Sequence, residues 1–108
     1  MGKVKTKARV VRVIDGDTFQ ALVTVRMAAI DAPETKGIER PLGLIAKGWL
    51  AEHIEGKDVE LEIAGNDIYK RLLAEVYESD TDINEQMLEE KIVEKYSPKN
   101  HNNGKLDI

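Results

Sequence analysis

The sequence predicts a single α+β domain built from short strands and two helices, and three observations lead to this prediction. The chain has 108 residues, of which 42% are hydrophobic, and this length and composition suit one domain with one core. Several short segments alternate apolar and polar residues, as half-buried strands do. Two longer segments repeat apolar residues every three or four positions, which is typical of amphipathic helices.

Three strand segments are predicted in the first third of the chain. Residues 5–15 alternate apolar and basic side chains, and the Asp-Gly-Asp sequence at residues 15–17 is typical of a turn. Residues 18–30 are rich in Val, Leu, Phe and Thr, which predicts one or two further strands. This segment has no Gly, Pro, Asn or Asp to mark a hairpin turn, so its two strands must be short or joined tightly.

A helix is predicted at residues 42–54, after a polar loop. The helical spacing places Ile45 and Trp49 on one face, with Leu50 and Ile54 in a row beside it, and we expect Trp49 to anchor the helix in the core. Gly43 and Gly48 disfavour a helix here, because glycine is among the poorest helix formers.

The rest of the chain predicts two strands and a second helix. Gly56 ends the first helix, the strands cover residues 58–63 and 72–77 with a turn at 65–67, and the second helix covers residues 83–93. Three strand segments, a helix, two strands and a helix are the arrangement of an OB-fold, a five-stranded β-barrel. We therefore predict an OB-fold domain at residues 1–96 and a short C-terminal tail at residues 97–108.

Composition excludes several kinds of site. The chain has no cysteine, which excludes disulfides, thiolate metal sites and cysteine nucleophiles. Its two histidines, His53 and His101, are too few for a multi-histidine metal site, so any metal would be held by oxygen ligands, as calcium and magnesium are. No apolar stretch is long enough to span a bilayer and no signal peptide is recognisable; the chain as written would be cytoplasmic, but the compartment is left open.

The charge of the chain is acidic overall. Sixteen Lys and Arg against twenty Asp and Glu give a net charge of −4, whereas proteins that bind nucleic acids through bulk charge are usually basic. The first twelve residues nevertheless hold five basic residues and no acid, which leaves a local cationic site open.

Charged residues at the ends of the predicted strands are candidates for a catalytic site. Asp17 follows the first turn, Arg26 interrupts an apolar strand, and Asp31 and Glu34 follow that strand. A charged Arg26 would be costly in the core, so it faces either solvent or a functional site. Taken singly, the acidic residues could equally be turn formers.

Three segments, in order, resemble the motifs of the staphylococcal nuclease (thermonuclease-like) family. Residues 13–18 read V-I-D-G-D-T, residues 25–35 read V-R-M-A-A-I-D-A-P-E-T, and residues 67–74 read D-I-Y-K-R-L-L-A. The family has V-I-D-G-D-T, R-L-x-x-I-D-A-P-E and D-x-Y-G-R-x-L-A, and residues 84–88 are similar to its N-E-x-L-V helix. Three ordered motifs are a more specific signal than any one of them alone.

The resemblance implies an OB-fold that binds calcium and hydrolyses phosphodiester bonds in DNA and RNA to 3′-phosphate products. By position, Asp17, Asp31 and the carbonyl of Ala32 would be the calcium ligands, supported from nearby by Asp15. Hard oxygen ligands of this kind are those that calcium prefers.

The resemblance also implies the catalytic and substrate-binding residues. Glu34 would be the general base that orients or deprotonates the attacking water, and Arg26 and Arg71 would bind the phosphate and neutralise its growing charge. The residues expected to contact the substrate are Tyr69, Lys70 and Tyr96. We expect a monomer that prefers single-stranded DNA or RNA and does not associate with membranes.

The chain departs from the family pattern in ways that leave an alternative open. The segment between Asp17 and Arg26 is shorter than usual, which affects the geometry of the metal site. Lys70 replaces a glycine, at a cost of about 1 kcal/mol if that position needs a positive φ. The alternative is a catalytically weak or inactive OB-fold module that binds single-stranded nucleic acid or a protein partner. Such modules have generally lost the acids and arginines that this chain retains.

Overall fold

The computed structural model of the chain describes residues 4–21 and 23–97. In chain order, its elements are β1 (Val4–Arg9), β2 (Arg12–Asp15), β3 (Thr18–Gln20), β4 (Thr24–Met27), β5 (Ile30–Asp31), the short 3₁₀ helix η1 (Gly37–Glu39), α1 (Arg40–Ile54), β6 (Asp58–Asn66), β7 (Leu72–Glu78), β8 (Thr81–Asp82), α2 (Ile83–Glu89) and β9 (Glu94–Lys95). Within these ranges, neither helix has the length and apolar character that crossing a membrane requires.

The main sheet has the strand order of an OB-like barrel. Its strands run β1-β6-β7-β4-β3-β2, with β8 added to β7, while β5 and β9 form a separate pair. The two edge strands, β1 and β2, are consecutive halves of one bent strand joined by Val10 and Val11, so the sheet curls back on itself. In the described residues the ladder is not closed between these edges. The predicted α+β, OB-like fold is confirmed.

The joint between β3 and β4 is as tight as the sequence predicts. The two strands are short and antiparallel, and Gln20 pairs with Thr24 across a connection of three residues. The Ala21 N–H donates to the Val23 carbonyl oxygen at 2.9 Å. The shortened segment therefore preserves the pairing that places Thr18 opposite Arg26.

Strand alternation explains why Arg26 does not enter the core. Val25 and Met27, its neighbours in β4, are fully buried, and successive strand residues point to opposite faces. Phe19 on β3 and Val76 on β7 are also fully buried among the core residues. The Arg26 side chain accordingly projects from the face opposite to this core.

Helix α1 confirms the predicted helix but turns a different face to the core. Its buried residues are Gly43, Ala46, Leu50 and Ile54. The prediction that Ile45 and Trp49 face the core is wrong for Ile45, which is 60% exposed, while Trp49 is half-buried at the edge of the core. The buried stripe includes small residues because the helix lies directly against the backbone at Gly16 and Glu34.

Two predicted elements shift in the second half of the chain. Strand β6 continues to Asn66 through a bulge between Ile63 and Gly65, so the predicted turn at 65–67 lies instead at residues 67–71. Helix α2 ends at Glu89 rather than at residue 93, because Lys91 takes a positive φ of 60° and reverses the chain. The predicted C-terminal tail lies outside the described residues from position 98 onward.

The basic N-terminal segment is matched by acids across the sheet. The β1–β6 register places Lys5 opposite Glu62, Lys7 opposite Glu60 and Arg9 opposite Asp58. The Arg9 Nε lies 2.6 Å from Asp58 Oδ1, and this hydrogen bond lowers the pKa of the Asp58 carboxyl. These cations therefore stabilise the strand pairing locally, and they do not form an isolated cationic patch.

Candidate active site

A cleft of about 210 Å³ lies where the ends of several strands meet the 67–71 turn. Its lining comes from β2, β3, β4, β5 and the residues just after β5 and before β7: Asp15, Asp17, Thr18, Arg26, Asp31, Ala32, Pro33, Glu34 and Arg71. The three sequence motifs, which are far apart in the chain, thus share one concave surface. Carboxylates and guanidinium groups dominate it.

Asp17 is the most buried carboxylate of the cleft, with only 8% of its surface exposed. Its Oδ2 accepts a hydrogen bond from the Ala32 N–H at 2.8 Å, and its Oδ1 accepts one from the Thr18 hydroxyl at 2.9 Å. The Met27 N–H donates to the Asp17 carbonyl oxygen at 2.8 Å. These bonds fix the carboxylate against the strands that carry Arg26 and Asp31.

The Arg26 guanidinium lies between two carboxylates. Its Nη1 is 3.5 Å from Asp17 Oδ2 and its Nη2 is 3.7 Å from Asp31 Oδ1, while Nη1 also donates to the Met27 carbonyl oxygen at 2.7 Å. The Arg26 side chain is 13% exposed, and a charge so far buried requires partners of opposite sign. Because one guanidinium reaches both acids, the two carboxylates face a common space.

A buried asparagine holds the turn between Arg26 and Asp31. Asn84, on α2, donates from Nδ2 to the Ala28 carbonyl oxygen at 2.8 Å and accepts from the Val76 N–H at 3.0 Å. The next residue in the turn, Ala29, takes a positive φ of 66°. The N-E-x-x-L segment therefore contributes to the site by fixing the turn between its two charged strands.

Glu34 sits on an irregular segment that is clamped by its surroundings. The Glu34 N–H donates to Glu39 Oε1 at 2.8 Å, and the hydroxyl of the next residue, Thr35, donates to Asp15 Oδ1 at 2.8 Å. On the other side, Gly43 of α1 packs so closely that a Cβ there would overlap the Glu34 carbonyl. This contact explains why a poor helix former, Gly43, stands inside the helix: any side chain there would collide with the Glu34 backbone.

The Asp-Gly-Asp turn also lies directly against α1. A Cβ on Gly16 would be 2.6 Å from the Cβ of Ala46 and 3.0 Å from the Cβ of Ala32. Only a glycine fits at this distance without a shift of one of these backbones. The helix therefore sets the position of both acid-bearing segments, the first through Gly16 and the second through Gly43.

Arg71 is held at the cleft by the turn that precedes it. Its Nε lies 2.6 Å from Asp67 Oδ2, and Asp67 Oδ1 accepts the backbone N–H groups of Tyr69 and Arg71, both at 2.9 Å. Partial burial is the largest single influence and raises the pKa of Asp67, but these hydrogen bonds together lower it below its ordinary value. The Arg71 guanidinium also lies over the Tyr69 ring, 5.2 Å from its centre.

Lys70 occupies a glycine-like position in the same turn. Its φ is +65°, a left-handed conformation that L-residues with a Cβ adopt at a cost. The Lys70 N–H donates to the Asp67 carbonyl oxygen at 3.0 Å, which closes the turn. The condition under which lysine costs stability at this position, a positive φ, is therefore met.

The cleft gathers most, but not all, of the residues singled out from the sequence. Those that line it are Asp17, Arg26, Asp31, Ala32, Glu34 and Arg71, together with Asp15. Tyr69, Lys70 and Tyr96 lie outside its lining. Tyr69 and Lys70 are exposed on the neighbouring turn, and the Tyr96 N–H donates to the Ala29 carbonyl oxygen beside β5.

Sequence reasoning assigned no role to four supporting residues: Thr18, Thr35, Glu39 and Asp67. Thr18, Thr35 and Asp67 lie within the three motifs, and this position was the signal that could have found them. Glu39 lies in none of the motifs, and its contact with the Glu34 N–H is visible only in the folded chain.

The oxygen donors of the cleft suit a hard divalent cation. Among the described residues, no group of three or more His, Cys, Asp or Glu side chains is arranged to hold a metal ion. Asp17 and Asp31 are two carboxylates that face one guanidinium, and calcium completes a coordination shell of six to eight oxygens with carbonyls and waters. The two carboxylates therefore offer the kind of oxygen donor that calcium prefers.

Comparison with known proteins gives two kinds of match. A sequence model for staphylococcal nuclease homologues matches residues 24–107. The matched range contains Arg26, Asp31, Glu34 and Arg71. Asp17 precedes it, so the assignment of Asp17 to the same site depends on the contacts described above.

Curated relatives carry the name uncharacterized endonuclease. One from Haemophilus influenzae is 35% identical over 103 residues, which cover 90% of this chain and 56% of the relative. Relatives from Escherichia coli O157:H7 and Escherichia coli are each 36% identical over 77 residues, which cover 67% of this chain and 48% of each relative. The chain thus spans about half the length of the curated relatives that it matches.

Proposed function

The chain belongs to the family of staphylococcal nuclease homologues, and on this premise we propose that it is a calcium-dependent nuclease that hydrolyses phosphodiester bonds in DNA and RNA. One observation carries the proposal. A single cleft brings together side chains from three distant motifs: the two carboxylates proposed to hold the cation, Asp17 and Asp31, the proposed base Glu34, and the arginines Arg26 and Arg71. This combination matches what phosphodiester hydrolysis requires, namely a cation site, a base and positive charge near the phosphate.

The arginines are proposed to bind the phosphate and to stabilise the charge that grows on it. Guanidinium groups donate in a forked geometry that matches two phosphate oxygens. The Arg71–Asp67 bond uses Nε, so the terminal nitrogens of Arg71 can point to a phosphate in the cleft. Arg26 is fixed by Asp17, Asp31 and the Met27 carbonyl before substrate arrives, and such preorganisation is what makes electrostatic catalysis effective.

Glu34 is proposed to be the general base. It lines the cleft, yet its side chain is exposed, so a water molecule can reach its carboxylate. A carboxylate beside the attacking water can accept its proton as the bond to phosphorus forms. The proton thus passes to Glu34 while the bond between phosphorus and the 5′ oxygen breaks. The leaving 5′ oxygen takes a proton from solvent, and the arginines hold the charge on the phosphate.

Calcium is proposed to be held by Asp17, Asp31 and the Ala32 carbonyl. When bound, it supplies Lewis acidity to a phosphate oxygen and lowers the pKa of a bound water. The protein's part is to hold Asp17 rigidly through the Thr18 hydroxyl and the Ala32 N–H. Calcium is therefore expected to raise the melting temperature, because a ligand that binds only the folded state stabilises it.

Single-stranded nucleic acid is the proposed substrate, and the expected products end in 3′-phosphates. Asp17 and Arg26 are largely buried, so the phosphate must enter the cleft, and a flexible strand does this more readily than a duplex. Tyr69 is 71% exposed beside Arg71 and can stack on a base, while Lys70 can contact a neighbouring phosphate. The acidic net charge predicts a weaker affinity for this substrate at physiological salt than a basic protein would have.

The test is hydrolysis of denatured DNA by the purified protein in calcium and in excess EDTA, with analysis of the product ends. We expect cleavage in calcium only, with 3′-phosphate ends. If the folded protein binds denatured DNA but leaves it intact under both conditions, the alternative of an inactive OB-fold binding module is correct instead.

A further inference from the structure

We propose that Glu39 is a positioning residue that fixes the Glu34 carboxylate in the cleft, an inference that depends on the proposed role of Glu34 as general base. Glu39 lies outside the cleft lining and in none of the three motifs. Its contact with Glu34 is through the backbone: the Glu34 N–H donates to Glu39 Oε1 at 2.8 Å.

The Glu39 side chain turns away from the helix that it precedes. Glu39 is the N-cap residue of α1, and its side chain makes no hydrogen bond to that helix. Its Oε1 accepts from the Glu34 N–H instead. The Glu39 carboxylate therefore serves the segment that carries the proposed base.

The local backbone is shaped to permit this return. Gly37 takes a positive φ of 69°, and η1 closes through a hydrogen bond from the Arg40 N–H to the Gly37 carbonyl oxygen. This compact turn brings the side chain of Glu39 back to the start of the loop. A carboxylate that accepts from a backbone N–H forms a charge-assisted bond, which is stronger than a neutral one.

Glu34 needs such an anchor because its own side chain is exposed on an irregular segment. Gly43 restricts the Glu34 carbonyl on one side, but only the Glu39 carboxylate binds its N–H in the described residues. The Thr35–Asp15 bond remains when Glu39 is removed, so we expect partial displacement of Glu34 and not loss of the loop. Small displacements of a catalytic group reduce the rate strongly without weakening substrate binding.

The experiment compares Glu39→Ala with Glu39→Gln, using kcat and KM for denatured DNA in calcium. Glutamine retains an oxygen that can accept the Glu34 N–H, whereas alanine does not. We expect Glu39→Ala to lower kcat about 10-fold or more with KM changed by less than about twofold, and Glu39→Gln to stay within about threefold of the parent. Glu52→Ala, at an exposed glutamate of α1, controls for the loss of one negative charge.

A second arm asks whether the effect passes through Glu34. In a Glu34→Ala background, Glu39→Ala should cause no further loss of rate, because the group that it positions is gone. An equal further loss in that background, a change in KM alone, or equal defects in the alanine and glutamine variants would each overturn the proposal.

A readout without catalysis separates this inference from the proposed function. Amide hydrogen exchange at Glu34 should be faster in Glu39→Ala than in the parent, with a smaller increase in Glu39→Gln, whose neutral oxygen still accepts the bond. An inactive parent protein would refute the proposed nuclease activity. The exchange rates would still show whether the Glu39 carboxylate anchors the Glu34 N–H. Unchanged exchange at Glu34 in Glu39→Ala would refute the anchor whatever the activity.

Discussion

The contact between Gly43 and the Glu34 peptide makes a prediction in which one substitution, placed at two positions of one helix, has opposite effects. A Cβ added at Gly43 would overlap the carbonyl of Glu34 and lie 2.8 Å from the Thr35 nitrogen. At Gly48, on the same helix, a Cβ would meet no atom within 4 Å. Gly43→Ala and Gly48→Ala are therefore a matched pair with equal gains in helix propensity.

The size of the Gly43→Ala effect follows from the displacement that it requires. Cβ atoms essentially never approach other heavy atoms closer than 3.0 Å, so the Glu34 carbonyl must move by about 1 Å. Overpacking of this kind costs about 1–3 kcal/mol of stability, and a misplacement of about 1 Å at a catalytic group can cost about 100-fold in rate. Gly48→Ala should instead stabilise the protein by about 1 kcal/mol, because alanine is the better helix former.

Thermal unfolding and hydrolysis of denatured DNA in calcium measure the two effects. We expect a lower melting temperature and a strong loss of activity for Gly43→Ala, against a melting temperature about 4–8 °C higher and parental activity for Gly48→Ala. If Gly43→Ala matched Gly48→Ala in both measurements, the helix would not set the position of the Glu34 segment.

Three further predictions test separate parts of the site. Glu34→Ala should lower the rate at least about 100-fold, as measured by DNA hydrolysis at constant calcium; near-parental activity would refute its role as base. Lys70→Gly should raise stability by about 1 kcal/mol in thermal unfolding, because it relieves the left-handed φ of +65°. The pKa of Asp67 is lower in the folded chain than in the unfolded chain, so on acidification the unfolded chain binds a proton at Asp67 first. The stability that the Asp67 carboxylate contributes is therefore present at neutral pH and is lost as the pH falls below about 4. Asp67→Asn should flatten this acid dependence, and an unchanged profile of unfolding free energy against pH would contradict the assignment.

The sequence predicts the fold and the central residues of the cleft because both leave local patterns. Alternation of apolar residues defines the strands, and the short segment before Arg26 correctly predicts a tight joint. The ordered motifs name the acids and arginines that the fold then brings together. Arg26 is informative even alone, because a charged residue between the apolar Val25 and Met27 indicates either exposure to solvent or a functional site.

The sequence does not predict the contacts that hold these residues in place, because they join segments without a shared pattern. On α1, either of two adjacent rows of apolar residues could face the core. Periodicity favours the row with Ile45 and Trp49, but the row that is buried includes Ala46 and Leu50. That choice depends on how closely the helix must approach Gly16 and Glu34, a distance known only in the folded chain. The Glu39 anchor is hidden for the same reason.

The most direct measurement of the central claim is the rate of hydrolysis of a labelled single-stranded oligonucleotide by the parent protein and by Arg26→Ala, in calcium and then in EDTA. We expect cleavage that requires calcium and falls at least about 100-fold in the variant, because Arg26 links both carboxylates and faces the cleft. Cleavage that persists in EDTA, or that is unchanged in a folded Arg26→Ala variant, would contradict it.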